Sequence, residues 1–257
     1  MNTQVKSASR VLDVLEYVAT TDEPCGPTDI SLALGIPKSS AHMLLTTLKA
    51  KGYLVRDGAR GFRLAPELKN VSGWIGGLVG RIVKAATPVI DRLVGKLEET
   101  SVLGVLTPRT EVRVVASRIS PLAVRYEVGL QPILPTYCTA LGHAMLAFTD
   151  DKIVNAYLAR TELVAVTPKT PATRQAVLRR LKQVRTRGYS LNIDERFVGA
   201  SGAATPILTP EGRAVAAINI ATVTPRFHDK REKIIEALKA AAAEIQGTVF
   251  HAGVAAK

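Results

Sequence analysis

The sequence predicts a mixed α+β chain in two parts, and three observations predict it. Residues 28–64 read as two short helices around a tight turn, followed by a two-stranded hairpin. Residues 66–100 form a helical stretch broken by glycines and one internal proline. From residue 101 on, short β-branched runs mix with amphipathic helical segments over about 155 residues, a normal size for one domain.

The elements follow in order. Val11, Leu12, Val14, Leu15 and Val18 recur at helical spacing within 9–19, and residues 20–27 form a loop of turn formers. Thr28-Asp29-Ile30 opens a short helix that Gly35 stops; Ile36 anchors the turn and Pro37 begins the next helix, where its missing N–H costs nothing. Leu44, Leu45 and Leu48 give that second helix its apolar stripe, and Gly52 ends it. Residues 53–56 and 62–64 are strands around the glycine-rich turn 57–61. This order is that of a winged helix-turn-helix. A second helix led by Lys38, Ser39 and Ser40 can set its amino end against phosphates and base edges, and a hairpin tipped with Arg60 can reach the neighbouring backbone.

After the wing, Pro88 is expected to kink the helical stretch or divide it in two. The glycines at 73, 76 and 77 lower helix propensity by about 1 kcal/mol each, which suits a linker that also pairs with its copy in a second subunit. Residues 102–106 and 111–116 read as a β-hairpin, and residues 123–128 as a further strand. Helices are expected at 139–148 and 150–160. A third spans 173–187, with Val177, Leu178, Leu181 and Val184 inward and its arginines on a solvated outer face. Strands at 189–193, 203–208 and 214–221 and a helix at 229–250 complete the chain. The domain limits are thus 1–66, 67–100 and 101–257.

Composition narrows the function. With 47% hydrophobic and 22% charged residues the chain forms cores. Net charge is +12, which favours a polyanionic partner. Residues 1–70, however, carry nine Lys/Arg against seven Asp/Glu, so most of the excess lies outside the reading head. Cys25 and Cys138 form no spacing motif, and residues 1–10 lack an apolar signal core, so a reducing, cytoplasmic setting is expected. The apolar run 71–83 has four glycines and Arg81 and is too short to span a membrane. His42, His143, His228 and His251 fall on separate elements, and no metal-ligand or nucleophile motif is present. Cys138 and His143 stand five apart, but a lone cysteine at a helix entry is usually packed and inert. No catalytic residue, metal or cofactor is therefore assigned, and an enzyme is not expected.

Three stretches together resemble the IclR family of bacterial transcription regulators, essentially end to end. They are 37–48 with Gly52-Tyr53-Leu54; 135–147, PTYCTALGHAMLA; and Arg187-Gly188-Tyr189 through Asp194-Glu195 to Gly199 and Ala203-Ala204-Thr205-Pro206-Ile207. The resemblance implies a winged helix-turn-helix DNA-binding domain, a linker helix and a GAF-like effector-binding domain. It further implies homodimers or homotetramers on double-stranded palindromic operators, answering to a small-molecule effector. The DNA-contacting set is then Lys38, Ser39, Ser40, His42, Thr46, Arg60 and Arg63, with Met43 where the family often has arginine. The implied effector pocket comprises the backbone N–H groups near Ala140 and Leu141, with Asn192, Gly202 and Asn219. Here His143 replaces the usual lysine, Asn192 a common acidic residue and Gly202 a frequent cysteine. The Asn192 and Gly202 replacements are expected to enlarge the pocket and to admit a neutral or anionic metabolite larger than a two- or three-carbon acid. The competing reading is a small-molecule-binding or enzymatic carboxyl domain whose winged helix serves protein contacts only.

Overall fold

The computed structural model describes residues 5–19, 21, 23–58, 61–69, 77–127 and 133–251. The chain divides into two compact units, residues 1–84 with 107–109 and residues 85–106 with 110–257.

The first unit begins with α1 (Lys6–Ala19), whose Val14, Leu15 and Val18 are buried. α2 (Pro27–Leu34) starts under a bond from the Gly26 N–H to Asp29 Oδ2 at 2.7 Å. It stops at Gly35, which takes the left-handed conformation (φ +65°) that glycine tolerates best. Ser31 Oγ then donates to the Ile36 carbonyl at 2.7 Å, fixing the turn. α3 (Lys38–Ala50) follows, with Pro37 in the capping position rather than the first turn. Its core-facing residues are Ala41, Leu45 and Leu48, whereas Leu44 is half-buried. Leu44 nevertheless packs against the same core, as its helical spacing predicts, and Ala41 joins the stripe one turn nearer the amino end.

β1 (Leu54–Asp57) and β2 (Gly61–Leu64) form the wing, with Leu54 opposite Leu64 and Asp57 opposite Gly61. Cys25 adds an antiparallel bridge to Phe62. This close approach explains Gly61: its φ is +140°, and a Cβ there would stand 2.6 Å from the Cys25 carbonyl atoms. Gly61→Ala is expected to destabilise this unit by about 2 kcal/mol through strain and overpacking. Urea unfolding with far-UV circular dichroism measures it, and an unchanged midpoint would refute the account. Arg60 lies outside the described residues, as do Gly73 and Gly76.

α4 (Pro66–Lys69) is one turn. α5 (Gly77–Leu97) continues through Pro88 without dividing. Proline removes only the bond to the residue four earlier, Lys84, and the boundary between the two units falls just beyond that residue.

The second unit is built on β3 (Thr100–Leu106), β4 (Val112–Arg118), β5 (Ile133–Leu134), β6 (Ser190–Ile193), β7 (Ala200–Leu208) and β8 (Ala214–Val223). They form one antiparallel sheet in the order β5-β4-β3-β8-β7-β6. α6 (Ala140–Leu146) packs on β3, β6, β7 and β8, and α9 (Thr224–Gln246) on β7 and β8. α7 (Asp151–Arg160) and α8 (Arg174–Arg187) lie in sequence between α6 and β6, and a π-helical turn (Gly247–His251) follows α9. α9 begins five residues earlier than expected, with Pro225 in its first turn.

Three expectations fail in this unit. Residues 123–127 form no strand: the segment is held by side-chain bonds instead of a ladder. Thr100 Oγ1 donates to the Tyr126 carbonyl at 2.5 Å, and Ser120 Oγ to the Glu98 carbonyl at 2.5 Å. On α8, Leu178 is 38% exposed rather than inward. Arg180 and Arg187 of the same helix are half-buried rather than solvated, because Arg180 reaches the buried Glu195.

Candidate functional site

Two regions carry the expected site residues, one in each unit. In the first, α3 presents an exposed stripe of Ser39, His42, Met43, Thr46 and Ala50, at the three- and four-residue spacing of one helix face. Met43 is 64% exposed, a large apolar side chain left uncovered in the middle of that stripe. Lys38 is exposed at the helix start and Ser40 is half-buried. No side chain caps α3, so the amide N–H groups of its first turn keep their capacity for an external acceptor. Arg63 does not stand free beside them: its guanidinium pairs with Asp57 across the wing. That pair weakens Arg63 as a phosphate contact.

In the second unit the sheet register gathers the other set. Asn192 lies opposite Gly202, Gly202 opposite Ala221, and Ala204 opposite Asn219, which in turn faces Val102. Paired residues share a face, so Asn192, Gly202 and Asn219 all lie on one side of the sheet. Thr139 caps α6 by accepting the Gly142 N–H at 3.1 Å. Gly142 is required there, because a Cβ would lie 2.0 Å from the Thr136 carbonyl oxygen. A cavity of about 60 Å³ results, and Ala140, Leu141, Asn192, Gly202 and Asn219 all line it.

Most polar groups of that wall are already committed. Asn192 Nδ2 donates to the Cys138 carbonyl at 2.7 Å, and its Oδ1 accepts from the Glu195 N–H at 3.2 Å. Asn219 Nδ2 donates to the Ala203 carbonyl at 3.0 Å. Gly202 does not widen the cavity as expected. A Cβ there would stand 2.5 Å from the Ile220 carbonyl oxygen, so neighbouring backbone occupies the vacated space.

Arg196, Phe197 and Tyr126 also line the cavity and were missed in the sequence. Arg196 directly follows the Asp194-Glu195 pair singled out there, and that adjacency was the available signal.

Behind the cavity wall lies a second buried cluster. His143 is fully buried; its Nε2 lies 2.5 Å from the Tyr137 carbonyl, and its Nδ1 is 3.8 Å from Glu195 Oε2. Among the described residues, neither His143 Nδ1 nor Glu195 Oε2 has a hydrogen-bond partner. Burial pulls the imidazole down to about 4 and pushes the Glu195 carboxyl up to about 7, although Arg180 and Arg187 oppose the latter shift. Cys138 is buried and its thiol is raised by burial, with the Arg196 charge opposing. Burial thus favours the protonated, less nucleophilic form of the Cys138 thiol.

A helix-turn-helix with an exposed helix face and a sheet domain with a lined cavity are the two components of a ligand-responsive transcription regulator. The comparisons agree. Residues 7–58 match the IclR helix-turn-helix domain, and residues 79–247 match the domain described as bacterial transcriptional regulator IclR C-terminal. The chain is 30% identical over 227 residues to the HTH-type transcriptional regulator XynR of Escherichia coli K12, covering 88% of this chain and 89% of that protein. A crystal structure of an IclR transcriptional regulator from Silicibacter sp. TM1040 superposes with a TM-score of 0.73 at 26% identity, over 95% of this chain and 96% of that one. An IclR homolog of Microbacterium hydrocarbonoxydans, crystallised with 4-hydroxybenzoate, shares the fold with a TM-score of 0.66 at 24% identity, over 95% and 99% of the two chains. This chain belongs to the IclR family of bacterial transcriptional regulators, with an amino-terminal helix-turn-helix and a carboxyl-terminal effector domain.

Among the described residues, no helix is long and apolar enough to cross a membrane.

Proposed function

We propose that the chain binds a palindromic operator as a homodimer or homotetramer and that a small metabolite in the second unit adjusts that binding. The observation that carries the reading is the exposed stripe on α3 beside an uncapped helix start. In this reading Lys38, Ser39 and Ser40 meet phosphate, while His42, Met43 and Thr46 face base edges; an exposed methionine suits a thymine methyl group. Arg60 and Arg63 steady the flank, Arg63 after release from Asp57. Paired heads then occupy major-groove faces about one helical turn apart, or a multiple of that.

The cavity around Ala140, Leu141, Asn192, Gly202 and Asn219 takes the effector, and the linker through residues 67–100 carries its effect. Such coupling typically amounts to about 1–3 kcal/mol, a several-fold to hundredfold change in operator affinity. Gel-shift titration of the intergenic DNA flanking the chain's own gene tests the reading. Specific binding should weaken steeply with salt, with log affinity falling by about 0.9 per phosphate contact for each decade of salt. Binding no tighter than to unrelated DNA would refute it and favour a winged helix used for protein contacts.

A further inference from the structure

The effector cavity contains one charge without a counterion. Arg196 lines it, and its two acidic neighbours in sequence are occupied elsewhere. Asp194 binds Lys169 at 2.8 Å and the Thr224 hydroxyl at 2.5 Å. Glu195 is paired with Arg180. Arg196 Nε is buried without a hydrogen-bond partner. Its Nη1 makes only a 3.9 Å contact with Cys138 Sγ, and its guanidinium lies 5.0 Å from the Phe197 ring centre. Among the described residues it has no carboxylate partner.

The other polar liners cannot supply one. Asn192 is held by Cys138 and Glu195, Ser201 shares a hydrogen bond with Thr224 at 2.8 Å, and Thr139 caps its helix. Tyr126 adds a phenol near enough to feel the Arg196 charge. A guanidinium and a phenol are both donors, and among the described residues that line the cavity none carries an opposite charge. A bound anion satisfies that arrangement. With Arg196 the one cation on the wall among the described residues, charge balance selects a monoanion over a phosphate dianion. The small volume and the apolar flank of Val102, Leu141 and Ala221 select a compact body.

We propose that Arg196 is the specificity-determining residue of the effector cavity and selects a compact monocarboxylate, bound through its carboxylate group. This rests on the reading that the cavity is the effector site. The fork of the guanidinium matches a carboxylate with two parallel bonds, a geometry an ammonium cannot reproduce.

Calorimetric titration of the full chain decides it. The probes are benzoate, 4-hydroxybenzoate, lactate and 2-oxobutyrate, each paired with its primary amide, with methyl phosphate as the alternative anion. At least one acid should bind, with its amide weaker by about tenfold or more, the scale of a charge-assisted bond. Arg196→Gln should reduce that acid to the level of its amide, and Arg196→Lys should recover part of the loss. Unliganded melting temperature reports whether each variant folds, and the acid-to-amide ratio on the unmodified chain needs no variant. Equal binding of acid and amide, an Arg196→Gln variant that folds and keeps its acid affinity, or tighter methyl phosphate would overturn the carboxylate assignment while leaving the cavity as the effector site. Binding of no probe, acid or amide, would remove the effector reading and this inference with it.

Discussion

Ser39→Glu is expected to abolish specific operator binding while leaving the helix-turn-helix folded. Ser39 is exposed in the first turn of α3, so a carboxylate there disturbs no packing and even favours the positive end of the helix. Stability should therefore stay the same or rise by a few tenths of a kcal/mol. The same carboxylate would face duplex phosphate at the point of closest approach. Like charges held together at an interface cost about 1–2 kcal/mol or more per contact. In the proposed dimer two heads double that, giving about a hundredfold loss or more. Fluorescence anisotropy at two salt concentrations, with thermal unfolding beside it, makes the measurement. Lys38→Ala is a useful companion: it should weaken all duplexes alike and flatten the salt dependence by about one unit of slope per head. If Ser39→Glu still binds its operator within threefold, α3 does not enter DNA by its amino end.

The head was legible because its signals are local. Gly35, Pro37 and Gly52 punctuate the two helices by backbone conformation alone, and the structure places each at a helix boundary. Helical spacing placed Leu44, Leu45 and Leu48 on the core side of α3, where all three pack, but a small residue such as Ala41 gives no apolar signal of its burial beside them. In the second unit, strand parity made Asn192, Gly202 and Asn219 co-facial once their strands paired. The alternation at 123–127 imitated that parity, but Val124 is 69% exposed and the segment is held by Thr100 and Ser120. No local pattern reports a hydroxyl arriving from more than twenty residues away.

Arg196 and Glu195 were opaque for a related reason. Adjacent in sequence, they point to different partners, and only the closed fold gives Glu195 to Arg180 and leaves Arg196 to the cavity. The arginines of α8 illustrate the same limit. Arg179, Lys182 and Arg185 are exposed as a solvated face should be, yet Arg180 and Arg187 turn toward a buried acid that the helix itself does not encode.

That buried acid sets the second large expectation, a stability profile whose flatness conceals two opposed titrations. Glu195 is held with a carboxyl pushed up to about 7 by burial, so the folded state retains a proton that the unfolded chain releases near 4.5. The stability this lends is complete below about 4.5 and is lost as pH rises through about 7. His143 works the other way. Burial holds it neutral with a value pulled down to about 4, while the unfolded imidazole takes up its proton near 6.5. Its contribution is complete above about 6.5 and is lost as pH falls through about 4. Between about 4.5 and 6.5 the two slopes cancel, since one proton gained by the folded state offsets one refused. Removing either partner should expose the other. Glu195→Gln keeps the shape of the side chain, and its stability relative to the unmodified chain should fall by about 1.4 kcal/mol per pH unit on acidification across that window. His143→Leu should show the opposite slope, losing relative stability as pH rises toward 7. Urea midpoints at pH 4.5, 5.5, 6.5 and 7.5 resolve both. Parallel curves for Glu195→Gln and the unmodified chain would mean that Glu195 is ionised throughout. Its pairing with Arg180 would then outweigh burial, and the carboxylate would stay charged although its Oε2 has no hydrogen-bond partner among the described residues.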